Sequence, residues 1–177
     1  MKKQLQFCLV LSLITFSIQG QPLESREKWT DNEKMIYQKQ MDLCHYLQEH
    51  KGKISKDTLF KNFVYFDYIL NDTDIQRKEK RLKTFDTLFY YFHHYIDSVG
   101  LANLDAKPIR FYQDKEIYKP FVSHLRDWRD GVFAYYLKSN PETPIGTLYM
   151  DRKTGKLISW ILIDQGGYYY YLTFEML

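Results

Sequence analysis

The sequence predicts an α+β domain in which three helices precede a meander of about four antiparallel strands. Three observations carry this. Apolar residues recur at spacings of three and four between positions 30 and 100. From Val132 onward the period changes to two, and short turn signals rich in Gly, Pro and Asp separate the later apolar runs.

The first helix is read from TDNEKMIYQKQMDLCHYLQEHKG. Thr30 and Glu33 have the spacing of a capping box, Ile36, Leu43 and Leu47 share a side, and Gly52 closes the segment. A second helix starts at Ser55, with Leu59, Phe63, Phe66 and Leu70 on its inner face. The third opens with a box-like start from Thr73 to Gln76. Its stripe is the longest, running through Leu82, Phe85, Phe89, Phe92, Ile96 and Val99 to Gly100. The charged run RKEKR, Arg77 to Arg81, reads as a solvated face.

After a connection, IRFY (Ile109 to Tyr112) has the composition of a short strand. Pro120 suits the first turn of a brief helix with Phe121, Leu125 and Trp128 inward. Four strands follow, at 132–137, 145–150, 157–163 and 168–174. SNPETP, with two prolines, reads as the first turn because proline has no place in a central ladder. DRKTGK is the second, with Gly155 where a hairpin needs positive φ, and DQGG is the third.

The order of elements, together with T-G-K, S-W-I-L-I and G-G-Y-Y in the last forty or so residues, resembles secreted NTF2-like (cystatin-like cone) proteins of unknown function from Bacteroidetes. That resemblance implies helices lying across a bent sheet with a pocket between them. It implies no particular function, because the cone hosts enzymes, binders and assembly modules.

Lys2 and Lys3 followed by the apolar run from Leu5 to Ile18 have the layout of a secretory signal peptide ending near Gly20. The expected organisation is therefore a leader at 1–20, a short lead at 21–29 and one domain at 30–177, exported to a periplasmic or extracellular space. No membrane association is expected once the leader is removed. Without Lys2 and Lys3 the charge balance is 23 basic to 22 acidic residues, which gives no footprint for nucleic acid. Cys8 falls in the leader, so Cys44 is left without an intrachain partner. Its place beside an apolar stripe suits a small buried hydrophobe.

Four consecutive tyrosines, Tyr168 to Tyr171, are the most distinctive local feature. In a strand they alternate between faces. The set Tyr168, Tyr170, Leu172 and Phe174 is the more apolar and is assigned to the core. Tyr169 and Tyr171 then face outward, where Tyr135 and Tyr149 on neighbouring strands complete a candidate binding surface.

Candidate chemistry is sparse. His93 and Asp97 stand four apart on the third helix, the spacing of an oriented base. Asp127 and Asp130 flank Trp128 and Arg129 near a turn, where a helix end and loop explain them. No HExxH, paired cysteine set, phosphate loop or nucleophile elbow occurs, so neither metal nor cofactor is expected. Three functions stay open: binding of a small molecule, glycan or protein; a pocket hydrolase or isomerase using His93 and Asp97; and a structural homodimer built sheet to sheet.

Overall fold

The computed structural model describes residues 26–177, so the leader and most of the lead lie outside the described residues. Four helices come first: α1 (Asp31–Glu49), α2 (Lys56–Asn62), α3 (Asp67–Leu70) and α4 (Ile75–Val99). Six strands follow: β1 (Leu104–Pro108), β2 (Val132–Leu137), β3 (Asn140–Met150), β4 (Leu157–Ser159), β5 (Leu162–Gln165) and β6 (Tyr168–Tyr171). The α+β order is as expected. Among the described residues no helix is long and apolar enough to cross a membrane.

Helix α1 starts as its sequence dictates. The Thr30 backbone N–H donates to Glu33 Oε2 at 2.7 Å and the Glu33 N–H to Thr30 Oγ1 at 3.2 Å, closing the capping box. Glu33 also receives Arg110 Nε at 2.6 Å, tying the helix start to the segment after β1. Burial alone would raise the Glu33 carboxyl, but the hydrogen bonds from Arg110 and Thr30 prevail and hold it below its ordinary value. Helix α2 is capped by Ser55, as expected. Helix α4 is capped by Asp74 rather than Thr73, its carboxylate accepting from the Arg77 N–H at 3.0 Å.

The expected second helix is broken. At Phe63 the backbone leaves α2, and Val64 forms a parallel bridge to Leu157. The Leu157 N–H donates to Phe63 O and the Tyr65 N–H to Leu157 O, both at 2.8 Å. The exposed edge of β4 thus captures three residues whose side-chain rhythm alone favours continuing the helix.

The main sheet is open and antiparallel, in the order β1-β2-β3-β4, while β5 and β6 form a separate two-stranded ribbon. This overturns both the continuous four-strand meander and the NTF2-like cone, which needs a strongly curled sheet that the chain does not make. The cause is local. The Ser159 hydroxyl donates to Leu172 O at 2.7 Å and accepts the Ile161 N–H at 3.0 Å, so the strand predicted at 157–163 ends at Ser159. Trp160 then packs on the α4 stripe, stacked at 4.6 Å from Phe92.

Two further expectations change. IRFY is a 3-10 turn, and the first strand is the preceding Leu104–Pro108. Pro141 and Pro144 lie inside β3, whose register against β2 shifts on either side of Tyr136. That end of β3 has no strand on its other side, so the missing N–H groups are tolerated. Gly155 does take the positive φ its loop requires, at +69°.

Both faces of the sheet are covered. On one, Phe133 and Met150 join Ile36, Leu43, Leu47, Phe85 and Phe89 of the helices. On the other, Val132, Ala134 and Tyr136 pack under Ile109, Tyr112, Tyr118, Phe121 and Leu125 from a layer of 3-10 turns spanning 109–131. Tyr171 belongs to this second core.

Candidate functional site

The tyrosine tetrad does not form the expected surface. Tyr171 is 0 % exposed and Tyr168 59 %, the reverse of the sides assigned by alternation. The assignment assumed one covered face and a last strand paired into the main sheet; here the far face is covered too, and β6 pairs only with β5. The Tyr171 hydroxyl donates to Thr147 Oγ1 at 2.7 Å, and its ring stacks on Tyr149 at 5.2 Å between ring centres. Burial pushes the Tyr171 phenol far above its ordinary value. Tyr149 in turn stacks on Trp128 at 5.0 Å, and Tyr169 is half-buried against the same core. Tyr135 points the other way. Residues paired across β2 and β3 share a face, and Tyr135 pairs with Gly146 on the helix side. The four tyrosines of the candidate surface therefore divide between two cores.

His93 and Asp97 are on α4, with His93 Nε2 3.8 Å from Asp97 Oδ2, beyond hydrogen-bond distance. Asp97 Oδ1 faces Lys51 Nζ at 3.3 Å. The His93 ring stacks on Phe89, 6.2 Å between centres, and borders a groove of about 190 Å³ between α2 and α4. Asp86 on that groove is held by Lys56 at 2.6 Å, and Tyr90 is exposed. No carboxylate and hydroxyl converge on the imidazole there. Among the described residues, no three His, Cys, Asp or Glu side chains gather in a way that could hold a metal.

The larger concavity lies elsewhere. A cavity of about 350 Å³ opens between α1, the C-terminal half of α4 and the helix-side face of the sheet. That volume falls at the lower end of the range of about 300–1,000 Å³ typical of small-molecule sites. Its wall is mainly apolar, with Leu43 and Leu47 from α1, Phe92 and Ile96 from α4, and Met150 and Leu157 from the sheet. Tyr135 adds a phenol that burial pushes up to about 12, so it stays a neutral hydrogen-bonding group at physiological pH. A Cβ at Gly146 would meet the Tyr135 hydroxyl at 2.5 Å, so the ring lies over the one residue type that leaves it room. Cys44 also lines the cavity; it keeps some accessible surface, yet burial pushes its thiol up to about 11.

One wall residue is chemically out of place. Gln40 is only 5 % exposed, and neither its Oε1 nor its Nε2 has a protein hydrogen-bond partner. Its position follows from helix geometry, because Ile36, Gln40, Leu43 and Leu47 are spaced four, three and four and occupy one buried stripe. That spacing was the available signal: a carboxamide where the stripe calls for a hydrocarbon.

No family model, curated protein or solved structure matches the chain.

Proposed function

We propose that the domain binds a small, mainly apolar molecule in the cavity between α1, α4 and the sheet, and that the Gln40 amide provides the polar contact that orients it. The observation behind this reading is the buried amide, without a protein partner, on a mainly apolar wall. A polar group left unsatisfied inside a protein costs about 1–3 kcal/mol. A leucine of similar size would fill the stripe without that cost, so the carboxamide makes physical sense if something else completes its hydrogen bonds. A carboxamide offers a donor and an acceptor side by side, and a hydroxyl, carbonyl or amide on a ligand complements it. The apolar wall supplies affinity and the amide supplies selection, the usual division in such pockets.

A short aliphatic alcohol tests the reading. Titration of 1-octanol should saturate a single site and raise the thermal unfolding midpoint, since a ligand that binds only the folded state stabilises it by mass action. Cys44→Phe places a ring in the cavity and should abolish the titration while the variant still unfolds cooperatively. If 1-octanol, octanoate and octylamine all leave the wild-type midpoint unchanged at millimolar concentration, the cavity is not a binding site.

A further inference from the structure

The rim of the cavity carries charge, and its charges are not equivalent. Asp105 Oδ1 accepts the Tyr37 hydroxyl at 2.8 Å and the Ala106 N–H at 2.8 Å, while Oδ2 faces Arg26 Nη2 at 3.4 Å. Arg26 also donates to the Tyr37 hydroxyl at 2.7 Å and lies 4.2 Å from the centre of that ring. The carboxylate at the mouth is thus engaged through both oxygens, and the guanidinium beside it is neutralised. The Tyr37 phenol is pushed up to about 12, by burial first and then by Asp105, so it remains a donor within this closed set.

Lys138, on the rim just past β2, stands differently. Its ammonium donates to the Ala102 carbonyl at 2.9 Å, and no carboxylate among the described residues lies within ion-pair distance of it. Two of its three N–H groups are left for solvent or a ligand. The remaining rim side chains, His45 and Gln48, contribute no anion. A cationic ligand entering here meets an uncompensated like charge and finds the nearby carboxylate already taken. An anionic one meets an available, solvent-exposed ammonium beside an apolar wall, where a charge-assisted hydrogen bond adds to apolar burial.

We propose that the cavity takes an amphipathic monoanion of the hydroxy- or oxo-acid class, with its carboxylate on Lys138, its chain along the apolar wall and its inner polar group on Gln40. This rests on the ligand-binding reading of the cavity given above. The two polar anchors at different depths set a direction for the chain, which neither anchor alone would do.

Calorimetric titration of the full chain with 8-hydroxyoctanoate, 1,8-octanediol and 8-amino-1-octanol tests both levels separately. The hydroxy acid should bind about tenfold more tightly than the diol, as one charge-assisted contact allows, and the amino alcohol should bind most weakly. Lys138→Met should bring the acid down to the level of the diol. Raising the salt concentration should weaken the acid and leave the diol unmoved. Equal binding of acid and diol, or an advantage of the acid that survives Lys138→Met, overturns the anion assignment while the cavity reading stands. Failure of all three compounds to bind overturns both.

Discussion

The two faces of the main sheet are made of the same strands and packed to different standards. On the face covered by the 109–131 layer, buried polar groups are paired: Tyr171 bonds Thr147, and the Tyr112 hydroxyl donates to the Pro141 carbonyl at 2.6 Å. On the helix side a cavity remains. The described residues whose buried side-chain polar atoms lack a partner, Trp29, Gln40 and His93, are all on that side. Close packing and full polar satisfaction are what protein interiors normally reach, and the far face shows that this chain can reach them. Both faces hold the fold together, but among the described residues only the helix side keeps a cavity and polar atoms without protein partners, which is the contrast on which the proposed ligand site rests.

The largest effect is expected on the packed face. Tyr171→Ala removes a fully buried ring and orphans Thr147, which should destabilise the fold by about 3–5 kcal/mol in chemical denaturation. A loss below about 1 kcal/mol would mean that this face is no better packed than the other. At the cavity, the raised Cys44 thiol gives a pH signature. Its folded-state value of about 11 stands above the reference of 9.0, so it contributes stability below pH 9 that is lost as pH rises toward 11. Iodoacetamide should alkylate native Cys44 at pH 8 at least about tenfold more slowly than the unfolded chain, because the thiolate is the nucleophile. Equal rates would place the thiol in open solvent. The smallest effect belongs to Tyr168→Ala, on the exposed end of the tetrad, which should change stability by about 0.5 kcal/mol or less.

Local signals in the sequence were reliable where local interactions decide the structure. Thr30 and Glu33 form the expected box, Ser55 caps α2, and the α4 stripe buries Phe85, Phe89 and Ile96. The misreadings occur where a distant residue decides. Phe63, Phe66 and Leu70 keep helical spacing, yet Leu157 draws the backbone out of the helix at Val64. LISWILI alternates like one strand, but the Ser159 hydroxyl takes Leu172 O and divides it. In the 109–131 layer Phe121, Leu125 and Trp128 do point inward as their spacing suggests, but Ile109, Tyr112 and Tyr118 follow no common period with them, and nothing local tells that the layer covers a second sheet face. That omission inverted the sides of Tyr168 and Tyr171. Gln40 holds a stripe position between Ile36 and Leu43, but its lack of a protein partner is a property of the folded chain alone.

Gln40→Leu bears most directly on the account. If the amide is kept for a ligand, the variant should be more stable than the wild type by about 1–2 kcal/mol in the absence of ligand, because an unsatisfied buried group has been replaced by hydrocarbon of similar size. The same variant should bind 1-octanol about tenfold more weakly, so stability and affinity move in opposite directions. A variant that is destabilised and binds unchanged would show that Gln40 serves the fold alone, and would contradict the reading of the helix-side face as a ligand site.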